Sequence, residues 1–212
     1  MKITVLQPNL FPFKNYFDVI GKADKVVFAD DTFYNKKCWV NKTVIKRSGK
    51  KTIFRVPIIE STENNKISDL TTPLKNWRRN FLKFTAEEYK DSVNFDTVFP
   101  VIKEVVNLPT DSVSLISAYS VFRVSELLGH NPKFILSSVN YKAIKGSFYK
   151  KIISICKNEG AGEFLTFAMY RDTFKSDFFV RNKVKISYYD SAGGNKYSVI
   201  EDLMNDEDLL KK

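Results

Sequence analysis

Hydrophobic positions along the chain fall in short continuous runs separated by helical stripes. Lys2-Ile3-Thr4-Val5-Leu6 has the pattern of a buried strand. Gln7-Pro8-Asn9-Leu10-Phe11-Pro12 follows, and its two prolines fix φ and hold Gln7 and Phe11 out of the helical region. Phe13, Tyr16, Phe17 and Ile20 share one face of a short helix that Gly21 ends. Lys25-Val26-Val27-Phe28-Ala29 is a second apolar run, with Asp30-Asp31 at its carboxyl end. Strand, helix, strand makes a βαβ unit with a right-handed crossover.

The remaining pattern continues in kind. Trp39–Ile45 and Thr52–Ile58 read as two strands of a hairpin around Ser48-Gly49-Lys50. Residues 60–70 are polar and read as a surface loop. Trp77, Phe81 and Phe84 mark a helical face, Asp96–Leu108 a second helix with Pro100 in its first turn, and Val113–Leu128 a third. Thr110 or Asp111 is placed to cap that third helix, and Gly129 to end it. Phe134-Ile135-Leu136 is a core strand ending in Ser137-Ser138. A helix over 149–158, a strand over 163–167, a short helix around Phe174–Phe179 and an alternating strand over 183–189 complete the order.

This order predicts an α/β fold: a largely parallel sheet with helices on both faces plus a basic β-hairpin insertion. Residues 1–190 are expected to form a single domain and residues 191–212 an acidic tail. In open α/β sheets ligands gather outside the carboxyl ends of the strands. Gln7 and Asn9, Asp30 and Asp31, and Ser137 and Ser138 all fall at such ends. Taken one by one they are ordinary turn formers; together at one edge they make a candidate site.

Composition then narrows the partners. A net charge of +10 favours anionic ones: nucleotides, phosphorylated sugars, RNA or an acidic membrane surface. From Lys36 to Arg55 there are eight basic residues and no acidic one. Such a ribbon either contacts phosphate or protects a sheet edge. Phe33, Tyr34 and Trp39 could supply stacking faces for nucleic acid, although no RNP-like, KH-like or zinc-finger pattern accompanies them. The 18 phenylalanines and 10 tyrosines argue for a packed core rather than disorder. Cys38 and Cys156 form no disulfide framework or zinc spacing, which points to a reducing compartment. The first apolar run is too short for a signal peptide, and no run is long enough to span a membrane. A soluble, cytoplasmic protein is expected. His130, the lone histidine, follows a helix end without a nucleophile at triad spacing.

The opening residues also carry a family likeness. Gln7-Pro8, Phe11-Pro12 and Tyr16-Phe17, then Ala23-Asp24, Val27 and Asp30-Asp31, resemble the start of the WbqC-like proteins. Trp39-Val40-Asn41-Lys42, Leu128-Gly129, Ser137-Ser138 and Ile155-Cys156-Lys157 with Gly160-Ala161 extend the likeness through most of the chain. Three departures stand out. Lys42 replaces an arginine, which removes a planar bidentate fork. Ser120 stands where asparagine is common. The glycine pair expected after the strand over 163–167 is absent from Ala168-Met169-Tyr170-Arg171-Asp172.

The resemblance implies a place in bacterial surface-polysaccharide (O-antigen) synthesis. The most concrete expectation is transfer of an acyl or aminoacyl group onto a nucleotide-linked amino sugar. Asp30 and Asp31 would be the catalytic carboxylates, with Asp30 the general base or a magnesium ligand. Gln7, Asn9, Tyr16, Asn41, Lys42, Arg47, Ser137 and Ser138 would bind substrate. The βαβ opening is also similar to nucleotidylyltransferase-like sheets, where ATP activates a carboxylate, so ATP and magnesium are the candidate cofactors. The paired histidines of such sites are absent, with Asn9 and Tyr16 in roughly their place. The alternative is a non-catalytic protein that binds a nucleotide-linked sugar or RNA.

Overall fold

A computed structural model describes residues 1–59, 64–144, 146–174, 176–190 and 197–210. In chain order the elements are β1 (Lys2–Leu6), α1 (Lys14–Ile20), β2 (Lys25–Phe28), β3 (Lys42–Arg47), β4 (Lys50–Arg55), α2 (Trp77–Tyr89), α3 (Phe95–Val106) and α4 (Val113–Leu127). There follow β5 (Lys133–Leu136), α5 (Ser137–Asn140), α6 (Phe148–Asn158), β6 (Glu163–Phe167), α7 (Ser176–Arg181), β7 (Lys185–Tyr189) and α8 (Val199–Asn205). The chain divides into two units. The first takes residues 1–7, 15–31 and 130–194, and the second residues 8–14, 32–129 and 195–212.

In the first unit the five apolar runs pair into one sheet of order β5-β2-β1-β6-β7, every pair parallel. Strands covered on both faces need apolar residues throughout, which is why β1, β2 and β6 do not alternate, whereas β7 at the sheet edge alternates and is half-buried. The register settles the faces. Val5, Val27 and Ile135 align across β1, β2 and β5, and Ile3, Phe164 and Ile186 across β1, β6 and β7. The first five belong to one buried cluster with Ile152, Ile155 and Cys156 of α6 and Phe179 of α7, and half-buried Ile186 packs against it. Phe28 and Phe134 lie on the opposite face, their rings stacked at 5.6 Å. The β1-to-β2 crossover runs the other way along the sheet from the β5-to-β6 crossover, so right-handedness puts α1 on that opposite face. The α/β fold with a largely parallel sheet is thus present.

Gly21 ends α1, and a methyl group there would meet the His130 ring at 2.6–2.9 Å. The glycine makes room for the imidazole as well as stopping the helix.

The second unit holds the separate antiparallel hairpin β3-β4 and helices α2, α3, α4 and α8. The hairpin turn is Ser48-Gly49, both at positive φ (47° and 75°), as a two-residue loop that follows strand twist requires. The strands therefore start and stop a few residues from the ranges read in the sequence, and Trp39–Asn41 precede them. Pro100 lies in the interior of α3 instead of its first turn, because the Asn94 carbonyl already accepts from Thr97 and Val98 N–H. The cap of α4 is Ser112, whose Oγ accepts from Leu115 N–H at 3.3 Å; Thr110 instead accepts from Ser112 N–H.

Two polar devices hold this unit. Phe11 sits at φ 40°, a left-handed conformation that costs a phenylalanine energy. Its N–H donates to Ser120 Oγ at 3.0 Å, and its carbonyl accepts from Thr43 Oγ1 at 3.0 Å and Ser198 Oγ at 2.7 Å. Its ring stacks on Phe81. Arg78 of α2 is buried and donates to the carbonyls of Val106, Leu108 and Thr110, closing the end of α3.

Candidate functional site

Only one pair of neighbouring strands in this sheet has crossovers leaving in opposite directions. The chain goes from β1 to β2 on one side and enters β6 on the other. The carboxyl ends of β1 and β6 are therefore the topological switch point, where open α/β sheets bind ligands.

At the end of β1 the Gln7 carbonyl accepts from the Tyr16 hydroxyl at 2.6 Å. Tyr16 is buried, and burial, helped by nearby Tyr170, pushes its hydroxyl well above the ordinary range. It stays a neutral donor. At the end of β6 the Tyr16 ring lies 6.4 Å from that of Phe167. Beyond it Met169 and Tyr170 are exposed, and Arg171 stacks on the Tyr188 ring at 4.5 Å. This is the segment that lacks the glycine pair expected from the resemblance.

The neighbouring ends of β2 and β5 carry the carboxylates. Phe28 and Leu136 are in register, so the residues after them emerge together. Asp30 is buried, and both its oxygens accept from Ser138, one from the N–H at 2.8 Å and one from the hydroxyl. Asp30 thus anchors the start of α5. Asp31 pairs with Lys151 of α6 through Oδ2, with both side chains nine-tenths or nearly so out of solvent. Its other oxygen, Oδ1, is buried without a hydrogen-bond partner, and so is the hydroxyl of Ser137. Buried polar atoms are nearly always bonded. Two unsatisfied acceptors at adjacent strand ends, one held by a cation, make a place for N–H or O–H groups of a ligand. Lys151 had no signal in the sequence, being one lysine among several in an amphipathic helix.

The other expected site residues belong to the second unit. Asn9 keeps a buried Oδ1 without a partner, while its carbonyl accepts from Ser120 Oγ at 3.4 Å. Asn41 is buried and fully used: its amide donates to the Val56 carbonyl at 2.9 Å, and its oxygen accepts from Tyr34 at 3.3 Å. Lys42 is only 8% exposed, donates to the Lys36 carbonyl at 2.6 Å, and lies 5.6 Å from the Trp39 ring. Arg47 is not beside it. Five residues along β3 separate them by about 16 Å, and Arg47 covers the Phe84 ring instead. The neighbour of Lys42 is Arg55, directly opposite on β4. A pocket of about 340 Å³ opens there, lined by Tyr34, Lys36, Asn41, Lys42, Arg55 and Pro57. A second, wider groove of about 660 Å³ runs between α2 and α3, with Lys75, Arg79, Lys83 and Lys103 around Leu82 and Phe99.

Among the described residues no three His, Cys, Asp or Glu side chains gather to hold a metal ion. No helix among them is long and apolar enough to cross a membrane.

Comparison with known proteins agrees with the motifs. The profile of the WbqC-like protein family matches residues 7–202. The uncharacterized protein Rv1507c of Mycobacterium tuberculosis is 21% identical over 201 residues, covering 92% of this chain and 85% of that protein. No solved structure matches the chain.

Proposed function

We propose, from the premise that the chain belongs to the WbqC-like protein family, that it is an enzyme of bacterial surface-polysaccharide synthesis. It would transfer an acyl or aminoacyl group onto the amine of a nucleotide-linked amino sugar. One observation carries the reading: the buried, unpartnered Oδ1 of Asp31 at a carboxyl strand end, with Oδ2 fixed by Lys151. A fixed carboxylate with one spare oxygen suits a group that takes a proton from an attacking amine.

The step balances as follows. The sugar nitrogen bonds to the acyl carbon of an activated donor, such as an acyl adenylate or thioester. The bond from that carbon to the donor's leaving group breaks, and the leaving group keeps the electron pair. The amine's proton passes to Asp31. Asp30, with both oxygens committed to Ser138, would position the site, so the proton-accepting role moves from Asp30 to Asp31. Gln7, Tyr16 and Ser137 stand at the same sheet edge to orient the sugar. The net charge of +10 favours a diphosphate-linked substrate.

The test is calorimetric titration with UDP- and dTDP-linked amino sugars, then turnover with an acyl donor followed by mass spectrometry. We expect one-to-one binding that survives high salt, and a loss of turnover of about a hundredfold or more in Asp31→Asn with the fold intact. Wild-type turnover in that variant would remove Asp31 from the mechanism.

The second reading is a non-catalytic protein that binds RNA, favoured by the cationic groove between α2 and α3. It predicts affinity that falls log-linearly and steeply with salt, whereas an enclosed sugar site responds weakly.

A further inference from the structure

The pocket at the base of the hairpin poses an electrostatic problem. Lys42 and Arg55 face each other across β3 and β4. Like charges directly opposite on a sheet repel. Lys42 is 8% exposed, so water screens its ammonium poorly. No carboxylate among the described residues pairs with Lys42, Arg55 or Lys36. Lys42's contacts there are the Lys36 carbonyl and the face of Trp39. A carbonyl and a ring satisfy a donor but do not neutralise a charge. A buried charge without a counter-ion is costly to the fold, unless something anionic occupies the space beside it.

The space has the dimensions for that. At about 340 Å³ it falls in the range of small-molecule sites. Tyr34, Asn41 and the Val56 carbonyl are tied to one another by hydrogen bonds. Burial first, with Cys38 adding to it, pushes the Tyr34 hydroxyl above its ordinary range. Arg55 supplies a planar fork, Lys42 a point charge, and exposed Lys36 is a third cationic residue of the lining.

We propose that this pocket binds the phosphoryl or diphosphoryl group of a small molecule, with Lys42 and Arg55 as the paired cations. The site lies wholly within the second unit. It stands independently of the acyl-transfer reading, which rests on Asp31. Arg55 takes the place that the basic pattern of the sequence suggested for Arg47. A free phosphate and the diphosphate of a nucleotide offer the same chemistry, so the probes separate them.

The experiment is calorimetry and thermal denaturation with inorganic phosphate, pyrophosphate and UDP at moderate salt. We expect saturable one-to-one binding of pyrophosphate or UDP and a rise in melting temperature. Preference for UDP over pyrophosphate would identify a nucleotide, and the reverse a free anion. Arg55→Gln, an exposed change, should weaken binding at least about tenfold, the loss of one charge-assisted pair. Lys42→Met should abolish binding and raise the melting temperature of the unliganded protein. Lys51→Gln, one exposed charge fewer outside the pocket, should bind as wild type. Unchanged affinity in Arg55→Gln overturns the proposal. So does failure of all three probes to bind, and so does RNA binding that none of them displaces.

Discussion

At the scale of single residues, Phe11 shows how far the sequence can be read. Proline at position 12 disfavours helix at the residue before it, and that much is local chemistry. The φ of 40° is not local. It is held by hydroxyls of Thr43, Ser120 and Ser198, the last 187 residues away in sequence. Serines in apolar stripes carry no signal of which backbone group they will meet. The same holds for Asp31. Its place at a strand end was legible, but its partner Lys151 comes from a helix 120 residues on. Asp30 was legible as a carboxylate at a strand end, yet its service to Ser138 needed the β2–β5 pairing. Ser120→Ala tests the Phe11 device. It leaves a buried N–H without its acceptor, and we expect a loss of about 1–3 kcal/mol in urea denaturation with an unchanged m-value.

At the scale of elements, the inner parallel strands were legible because double-sided burial makes them apolar throughout, and the edge strand β7 from its alternation. Their order was not, since nothing in a strand of five residues names its neighbour. Helix α6 was legible from its stripe, including Cys156, whose thiol burial pushes up to about 11. The ion pair at its end was not. Glu159 follows α6 and accepts from the Lys25 ammonium and the Tyr141 hydroxyl. These two donors, Lys25 first, hold the Glu159 carboxyl below its ordinary value. In the unfolded chain that carboxyl titrates near its ordinary value of about 4.3. The unfolded state therefore takes up the proton first as pH falls. Stability from this group is complete above that value and is lost as pH drops toward the lowered folded one. Glu159→Gln should lower stability at neutral pH and flatten its decline below about pH 5. Melting curves at several pH values check this, and parallel slopes for wild type and variant would show that Glu159 does not carry the acid sensitivity.

At the scale of the whole molecule, two units share a chain that leaves and re-enters each of them. The α/β class was legible because the first unit's strands are short apolar runs. The composition of each unit in space was not, because residues 8–14 interrupt the first unit and 195–212 return to the second. The carboxyl-terminal stretch shows the physical reason. Its acidic residues dominate the pattern, yet Val199, Ile200, Leu203 and Met204 of α8 are buried. Glu201 accepts from the Tyr89 hydroxyl at 2.7 Å and faces Lys46 at 3.4 Å. Asn94 donates to the carbonyls of Leu203 and Asp206. Burying four such side chains contributes roughly 6–12 kcal/mol, about the whole stability of an ordinary domain. Removing residues 199–212 should therefore leave the second unit without cooperative unfolding. Leu203→Ala, a milder cut, should cost about 2–5 kcal/mol. Calorimetric melting of both variants decides whether the stretch is core or appendage. A truncated chain that melts like the full one would make α8 an appendage, and the charges of Glu201 and Asp202 would then matter only at the surface.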